Sequence, residues 1–470
     1  MAARQNSHWL SEAIAPGEES SPSLHGDISA DVCIVGGGFT GLWTALSLKD
    51  QEPALDIALI EKDVCGAGAS GRNGGFVLSW WAKFLSLEKI CGGEEAVRLA
   101  TASAAAVDAI GDFCSAQRID AHYRRDGWLW TATNDRQINS WDGTLEAAAR
   151  YQQYPFERWQ PGQVAARSGS KRHLAGVIEP GTASVQPAAL ARGLRRVALA
   201  RGVRIFENTP LKRLKGGSKP EIVTPKGRVK AAKVVLALNA WGIRFAPIRR
   251  AIVVVSSDIA VTDAMPERLK EIGWRDGMTI SDSRMLVHYY RTTRDGRIVF
   301  GKGGMNGSLP YGGHVGAKLD GPSPLQEHLT TWLSWTYPEL GAVRAAGSWM
   351  GPIDRSKSGL PYFGALEGRP NVFHAVGYSG NGVGPSYLGG KILASLVLEK
   401  KDEWSECGLV RPLGRDFPPE PLRYFGGHLV RIAFARSDSA AVAGRRACPL
   451  SRYLAGFAPA GLSPFKGQKT

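Results

Sequence analysis

The sequence lacks the features that mark three broad classes of protein. No apolar run approaches the roughly 18 residues needed to span a bilayer, and the N-terminal stretch has no apolar core of a secretory signal. The six cysteines form no C-x-x-C pair, which argues against a zinc site or a disulfide framework. We therefore expect a cytoplasmic protein with no transmembrane segment and no bound metal.

The sequence also lacks a concentrated basic patch, although it is basic overall. The formal net charge is +15, yet no run of five or more Lys and Arg residues occurs. Nucleic-acid-binding proteins concentrate their positive charge, so we expect no nucleic-acid partner. Residues 411–470 form a basic tail with ten Lys or Arg and three Asp or Glu. Within it, Gly427–Arg436 predicts a short helix, which we expect to pack on the protein rather than on a membrane surface.

A strand, a glycine turn and a helix follow one another early in the chain. The apolar residues 32–35 precede Gly36, Gly38 and Gly41 in G-x-G-x-x-G spacing. The first glycine permits a tight turn, the second lets the backbone approach a pyrophosphate, and the third lets the helix pack on the strand. A second strand, residues 57–60, ends at Glu61, where a carboxylate can bind ribose hydroxyls. The pattern predicts a dinucleotide site and disfavours NADP, but leaves FAD and NAD open.

A second glycine-rich loop, residues 62–76, directly follows this carboxylate. In it, Ser70 can bind a phosphate or ribitol oxygen, Arg72 adds positive charge, and Asn73 offers both a donor and an acceptor. The segments G-G-G-F-T-G and G-A-G-A-S-G-R-N-G-G together resemble the FAD-dependent D-amino-acid oxidase superfamily. The second segment is most similar to γ-glutamylputrescine oxidases and to aminophosphonate oxidoreductase-like bacterial amine oxidases.

A third glycine turn lies much later in the chain, after the strand of residues 371–376 and before the helix of residues 386–398. A helix N-terminus in this position can stabilise negative charge on electron-rich atoms. In the resembled family such a segment closes the FAD site. The resemblance further implies that the backbone of the residue after the strand at 202–209 contacts the adenine.

The resemblance implies a non-covalently bound FAD, because no cysteine lies between Cys114 and Cys407. The expected cofactor-binding residues are Gly36, Gly38, Phe39, Thr40, Gly41, Glu61, Lys62, Gly68, Ala69, Ser70, Arg72, Asn73, Gly74, Gly75, Leu211, Gly380, Asn381, Gly382 and Val383.

The implied fold class is α/β, with a Rossmann-like FAD-binding domain and an α+β substrate domain built on a mixed sheet. We expect the FAD-binding domain to be discontinuous, comprising residues 28–80, 185–245 and 350–410. The substrate domain would then comprise residues 81–184 and 246–349. Residues 1–27 would form an N-terminal arm and 411–470 the basic C-terminal tail.

A predicted hairpin supplies the substrate-contact candidates. Residues 285–291 and 297–301 alternate as strands around the turn 294–296. The candidates are His288, Tyr290 and Arg291. Alternation places His288 and Tyr290 on one face and Tyr289 and Arg291 on the other, and the sequence leaves open which face lines the pocket. We assign no catalytic acid or base.

The resemblance implies oxidation of a C–N bond in an amine or amino-acid-like substrate. Hydride would pass to flavin N5, and the resulting imine would give an aldehyde or keto product, with O2 or another compound as electron acceptor. γ-Glutamylputrescine-like and aminophosphonate-like substrates are the candidates. Two alternatives stay open: a flavin-dependent tRNA-modifying enzyme and a quinone-linked amine dehydrogenase of the same fold.

Overall fold

The structure, a computed structural model, describes residues 7–14, 20–303, 315–316 and 319–460. The strands are β1 (Gly26–Val35), β2 (Ile57–Ile60), β3 (Phe76–Val77), β4 (Trp128–Ala132), β5 (Glu157–Trp159), β6 (Ala175–Glu179), β7 (Ala183–Ser184), β8 (Arg204–Phe206), β9 (Arg213–Lys215), β10 (Glu221–Val223), β11 (Gly227–Leu236), β12 (Ile252–Thr262), β13 (Thr279–Asp282), β14 (His288–Thr292), β15 (Ile298–Gly303), β16 (Ala345–Ser356), β17 (Tyr362–Leu366) and β18 (Arg369–Val376). The helices are α1 (His8–Ala13), α2 (Phe39–Gln51), α3 (Phe84–Cys91), α4 (Gly93–Ala116), α5 (Asp142–Ala149), α6 (Pro161–Ser168), α7 (Pro187–Ala200), α8 (Ala246–Ala251), α9 (Pro266–Glu271), α10 (Gln326–Thr336), α11 (Pro385–Val397), α12 (Leu422–Val442) and α13 (Pro449–Ala455).

The first sheet has the strand order β17-β18-β11-β1-β2-β8. The neighbours from β18 to β8 are parallel, and β17 is antiparallel to β18. The last four residues of β1 are buried on both faces of the sheet: Val32 and Ile34 belong to one hydrophobic core, and Cys33 and Val35 to another. This explains why the strand is a continuous apolar run rather than an alternating one.

Parallel pairing brings the carboxyl ends of these strands to one edge of the sheet. The first glycine turn follows β1, Glu61 follows β2, Thr209 and Leu211 follow β8, and the third glycine turn follows β18. Segments that are far apart in the sequence therefore meet at one edge, which is where open α/β sheets bind their ligands.

The second sheet has the order β16-β12-β15-β14-β13-β4-β6-β5 and is mixed, because β4 and β13 pair in parallel. Its longest pairing joins β12 to β16 from Ile252–Ser356 to Thr262–Ala345. The expected domain boundary at residues 349/350 falls inside β16. The division of the chain into two domains stays a prediction.

Both ends of the described chain pack on this frame. Trp9 and Leu10 of α1 are buried, and the Trp9 Nε1–H donates to the carbonyl of Asn73 at 2.9 Å. The predicted helix at Gly427–Arg436 is a longer helix, α12, that begins at Leu422 and ends at Val442. Among the described residues, none of the helices combines the length and hydropathy that a membrane span requires.

Candidate active site

The first glycine turn leaves α2 with an open N-terminus. Gly36 has a φ of +117°, and a Cβ at this position would lie 2.4 Å from the Ala237 carbonyl oxygen, so only glycine fits the turn. Gly38 occupies the position before α2 and has no side chain of its own to cap the helix, and of the first-turn amides that of Phe39 is bonded to Ser70 Oγ. The first-turn amides of a helix have no partner within the helix, so this terminus can accept an anion.

Glu61 is held rigidly at the end of β2. Its carboxylate accepts hydrogen bonds from the Gly37 amide at 2.8 Å and from the Asp63 amide at 3.0 Å. Burial raises the pKa of the Glu61 carboxyl, and the two amide hydrogen bonds oppose that shift. The fixed orientation suits an acceptor of hydroxyl hydrogen bonds, as the sequence predicts.

The second glycine loop lies against the first one. Ser70 Oγ accepts a hydrogen bond from the Phe39 amide at 2.9 Å, which leaves the Ser70 hydroxyl hydrogen for a ligand oxygen. Arg72 and Asn73 face the same region, but their side chains hold the protein together. Arg72 pairs with Asp320 at 2.9 Å and donates to the Leu319 carbonyl at 2.7 Å.

Asn73 fixes the shape of its own loop. Its amide nitrogen donates to the Ser70 carbonyl at 2.8 Å, and its Oδ1 accepts from the Gly75 amide at 2.7 Å. The Arg72 charge and the Asn73 amide are thus already bonded within the protein, and the expectation that both residues bind the cofactor stays a prediction.

The third glycine turn closes the same region from the other end of the chain. The Thr40 hydroxyl donates to the Tyr378 hydroxyl at 3.1 Å, across a sequence separation of 338 residues. The Asn381 Nδ2 donates to the Ser79 carbonyl at 2.8 Å, while its Oδ1 is buried and has no hydrogen-bond partner among the described residues. Helix α11 begins just beyond, with no side-chain cap.

These segments enclose one cavity of about 750 Å³. It is lined by the expected residues Gly36, Gly38, Phe39, Thr40, Glu61, Lys62, Gly68, Ala69, Ser70, Arg72, Asn73, Gly74, Leu211, Gly380, Asn381, Gly382 and Val383. Gly41 and Gly75 do not line it. A Cβ on Gly41 would lie 2.0 Å from the Gly36 carbonyl oxygen, and one on Gly75 would lie 2.1 Å from the Val185 carbonyl oxygen, so both serve close packing.

The other wall of the cavity comes from the second sheet, and its central side chain is Tyr289. The Tyr289 and Ser257 hydroxyls lie 2.6 Å apart. A Cβ on Gly74 would lie 3.0 Å from the Tyr289 ring, which places this ring directly over the second glycine loop. Burial raises the pKa of Tyr289, so its hydroxyl stays neutral. The sequence did not decide which face of this strand lines the pocket; in the structure it is the face that carries Tyr289.

The three substrate-contact candidates lie outside the cavity lining. Tyr290 packs in the core behind the sheet and its hydroxyl meets His173 Nε2 at 2.5 Å. His288 lies on the same side: its Nδ1 is 3.2 Å from Asp282 and its Nε2 is 2.9 Å from Lys302 Nζ.

Arg291 shares the strand face of Tyr289 but is buried against backbone, and it donates to the Gly74 carbonyl at 2.7 Å. The expectation for these three residues is corrected. His288 and Tyr290 have the wrong strand parity, and the guanidinium of Arg291 is already bonded to carbonyl oxygens.

Sequence reasoning missed most of the cations that line the cavity, among them Lys83 and Arg355. Lys83 donates to the Gly359 carbonyl at 2.6 Å. Burial lowers the pKa of Lys83 to about 7, and the charge of Arg355 acts in the same direction. Burial also lowers the pKa of Arg355, whose guanidinium makes no hydrogen bond or ion pair within the described part of the chain. No local motif marks either residue, because they meet only in the fold.

Trp241 is another cavity-lining residue that sequence reasoning missed. Its ring lies 4.3 Å from the Lys62 ammonium. Asn-Ala-Trp after a strand carries no signal that would single out the tryptophan.

A comparison with known protein families decides the class of this site. A family profile described as "FAD dependent oxidoreductase", abbreviated DAO, matches residues 31–396. The chain belongs to this family. As an FAD-dependent oxidoreductase it is similar to "Gamma-glutamylputrescine oxidoreductase" of Escherichia coli (strain K12), with 28% identity over 421 residues, or 89% of this chain and 93% of the relative. It is 30% identical to "Probable oxidoreductase OrdL" of Rhizobium meliloti (strain 1021) over 401 residues, or 83% of this chain and 88% of the relative.

Solved structures agree with this oxidoreductase fold. Glycine oxidase from Geobacillus kaustophilus superposes with a TM-score of 0.65 at 22% identity, covering 82% of this chain and all of that one. L-proline dehydrogenase from P. horikoshii gives a TM-score of 0.65 at 19% identity, covering 83% of this chain and all of that one. The α/β fold with a Rossmann-like part and a mixed-sheet part is thus confirmed.

The residues present suit FAD, the cofactor of this oxidoreductase family. The N-termini of α2 and α11 lie at the site, and the positive ends of their dipoles can stabilise negative charge there. The buried Asn381 Oδ1 without a partner is an acceptor awaiting a donor. No cysteine is among the described residues that line the cavity.

Proposed function

We propose that this FAD-dependent oxidoreductase oxidises the C–N bond of an amine that carries an anionic group at a distance from the nitrogen. γ-Glutamylputrescine-like and aminophosphonate-like compounds are the candidate classes, and O2 is the proposed electron acceptor. The name of the relative from Escherichia coli supports the first class. The six cysteines are free thiols, which supports a cytoplasmic location.

The observation that carries this proposal is the pair of cations in the cavity wall. Lys83 and Arg355 line the cavity that the glycine segments enclose. Removing two like charges from water is costly unless an opposite charge compensates them. Lys83 donates to a carbonyl and lies close enough to the buried Asp354 carboxylate for that charge to raise its pKa, while the guanidinium of Arg355 makes no hydrogen bond or ion pair among the described residues. A carboxylate or phosphonate of the substrate would supply the missing charge.

We propose that FAD is bound without a covalent link by the cavity-lining residues of the three glycine segments, together with Glu61 and Leu211. When bound, FAD supplies the hydride acceptor for the oxidation. Glu61 would accept hydrogen bonds from the ribose, and the open N-termini of α2 and α11 would face the phosphates and the ring.

The substrate would lie under Tyr289. Oxidation removes two electrons and two protons from the amine and leaves an imine, which water converts to a carbonyl compound and an amine or ammonia. O2 takes up the two electrons and two protons as H2O2. The apolar side chains of Phe76, Leu78, Met285 and Val287 line the cavity and exclude water. An apolar site favours the neutral amine, so no side chain need act as a dedicated base.

The test is an anaerobic titration of the FAD-loaded protein, followed by the visible flavin band. The amines are γ-glutamylputrescine, 2-aminoethylphosphonate, sarcosine and D-alanine, with putrescine as the matched control that lacks an acid. We expect an acid-bearing amine to bleach the band and putrescine to leave it unchanged. Equal bleaching by putrescine would contradict the anion requirement, and no bleaching by any amine would contradict amine oxidation. Readmitted air should restore the band with one H2O2 per flavin if O2 is the acceptor.

A further inference from the structure

Exposed apolar side chains are concentrated at one place on the molecule. Of the twelve large apolar side chains that are exposed among the described residues, eight lie on α12, on α13 or directly after it. They are Leu422, Phe425, Leu429, Ile432, Val442, Leu450, Tyr453 and Phe457. We call α12, α13 and the residues between and directly after them, 422–460, the C-terminal helical pair.

On α12 these side chains form a stripe along one face of the helix. Leu422, Phe425, Leu429 and Ile432 follow one another at spacings of three and four residues, which places them on one side of a helix. Each is between 44% and 67% exposed. A soluble protein rarely leaves a contiguous apolar surface uncovered unless it binds a partner.

The other side of α12 is fixed to the protein. Ala433 and Arg423 are buried, and Arg423 donates to the Arg249 carbonyl at 2.7 Å. The Asp438 carboxylate accepts hydrogen bonds from the amides of Met285 and Leu286 at 3.1 and 3.0 Å. The helix is thus attached along its length, and the stripe is a true outer surface.

Within residues 422–460 the exposed charges have one sign. Arg436, Arg445, Arg446 and Arg452 are exposed. Asp438 is the one acidic residue between 422 and 460, and it is bonded inward. An apolar stripe bordered by arginines complements a surface that is apolar below and anionic above.

We propose that the C-terminal helical pair docks the enzyme on an anionic lipid bilayer, with the apolar stripe in the headgroup–acyl boundary and the arginines on the lipid phosphates. A second copy of the chain fits less well. Self-association through this face would bring the exposed arginines of two chains together with no exposed carboxylate from residues 422–460 to compensate them, and like charges in an interface oppose association. The proposal does not depend on which amine is oxidised.

The test is co-sedimentation of the full-length FAD-loaded protein with vesicles. One set contains phosphatidylcholine alone, and the other contains about 30 mol% phosphatidylglycerol. We expect binding to the anionic vesicles that weakens as salt screens the charges. Absence of binding to the anionic vesicles, or equal binding to both sets, would overturn the proposal.

Two double variants separate the apolar and the charged contributions. Phe425→Ser with Leu429→Ser should abolish vesicle binding, whereas the control Tyr154→Ser, an exposed aromatic elsewhere, should leave it unchanged. Arg445→Gln with Arg446→Gln should lower the partition coefficient about 30-fold, since each arginine near an anionic surface contributes about fivefold. Its control removes two exposed arginines far along the chain, Arg268→Gln with Arg275→Gln.

Flavin content and the melting temperature report whether each variant folds. If both controls lose binding as strongly as the test variants, vesicle binding depends only on net charge or on nonspecific apolar contacts. The assignment of this face is then wrong. Sedimentation velocity without lipid gives a further check. A lipid-free dimer that Phe425→Ser with Leu429→Ser dissociates would overturn the proposal in favour of a second copy.

Discussion

One wall of the cavity is formed mainly by backbone atoms and the other mainly by side chains. The wall at the edge of the first sheet consists largely of backbone, at glycine turns where an added side chain would strike a neighbouring group: the Ala237 carbonyl at Gly36 and the Ser70 hydroxyl at Gly38. The facing wall consists of side chains, with Tyr289 standing over the second glycine loop. A backbone wall has almost no freedom to vary, whereas a side-chain wall can change without disturbing the fold. We therefore expect the backbone wall to determine cofactor binding, and the side chains of the cavity, Lys83 and Arg355 among them, to determine substrate choice.

The largest effect is expected from Gly41→Ala, which tests whether close packing at the first glycine turn is required for stability and flavin binding. The added Cβ would lie 2.0 Å from the Gly36 carbonyl oxygen, so helix α2 must shift away from the turn. We expect a loss of about 3 kcal/mol in the free energy of unfolding and loss of bound flavin. Denaturant unfolding and flavin stoichiometry measure the two effects. The control Gly162→Ala, on helix α6 with nothing within 4 Å of the added Cβ, should retain both; a flavin-replete Gly41→Ala protein would contradict this account.

Substitution of a charged side chain of the cavity should change the affinity for an anionic ligand rather than the cofactor content. Lys83→Met removes a cation next to Arg355, and we expect the affinity for glutarate, an anion without an oxidisable C–N bond, to fall by about 1.5–3 kcal/mol with flavin retained. Because the pKa of Lys83 is lowered to about 7, wild-type affinity should be high below pH 7 and fall above it. Flavin-monitored titrations at several pH values measure this. A wild-type protein and a Lys83→Met variant with the same pH profile would rule out Lys83 as the anion ligand.

The same lysine predicts a trend in stability. An unfolded lysine stays protonated to about pH 10.4, whereas burial lets Lys83 lose its proton near pH 7 in the folded state. Between these pH values the unfolded chain binds more protons, so the free energy of unfolding rises with pH, by at most about 1.4 kcal/mol per unit. Urea unfolding of wild type and Lys83→Met at pH 6, 8 and 10 isolates this contribution. The free energy of unfolding of wild type, relative to that of Lys83→Met, should rise with pH. A pH-independent difference between the two proteins would argue against a buried lysine with a lowered pKa.

A smaller effect distinguishes Tyr289 from its neighbour Tyr290. Tyr289→Phe removes the hydroxyl that meets Ser257 and should raise KM about fivefold at unchanged stability. Tyr290→Phe breaks the contact with His173 in the core and should lower the melting temperature while KM stays unchanged. Steady-state kinetics and thermal unfolding of both variants provide the readouts. If instead Tyr290→Phe raised KM and Tyr289→Phe lowered only the melting temperature, substrate contact would be assigned to the strand face that carries Tyr290 and His288.

The smallest effect expected is at the rim of the second wall. Asp438→Asn weakens the hydrogen bonds to the amides of Met285 and Leu286, and we expect a cost of about 1 kcal/mol in stability and a modest rise in KM. Ser439→Ala, an exposed neighbour on the same helix, is the control. Unaltered kinetics and stability in Asp438→Asn would mean that α12 does not support the cavity loop.

The backbone wall could be predicted from the sequence because its chemistry is local. The spacing between a strand and a helix identifies Gly36, Gly38 and Gly41, and the position at the end of the next strand identifies Glu61. Even there, the sequence did not show how Arg72 and Asn73 are bonded: Asp320, the partner of Arg72, lies far along the chain, and the contacts of Asn73 with Ser70 and Gly75 depend on the shape of its own loop.

The side-chain wall could not be predicted in the same way. Strand alternation gives two faces for Tyr289 and Tyr290, but only the packing of His173 behind the sheet decides which face looks inward. Lys83 and Arg355 come from a helix-preceding turn and a late strand, and neither stands in a pattern. The helix predicted in the tail, Gly427–Arg436, was too short at both ends. In the fold α12 also contains Gly426 beside Gly427, and tertiary contacts there outweigh the low helix propensity of glycine.

The hydrogen bond between Thr40 and Tyr378 spans 338 residues, and it has a consequence for how the protein is made. Strand β18 pairs with β11, which in turn pairs with β1, so the parallel sheet is completed only after nearly the whole chain has left the ribosome. Long-range pairing of this kind is slow to form. FAD can stabilise only the completed arrangement, since a ligand stabilises a state in proportion to its preference for that state. Translation that stops before β18 should therefore yield a chain that no supply of cofactor can rescue.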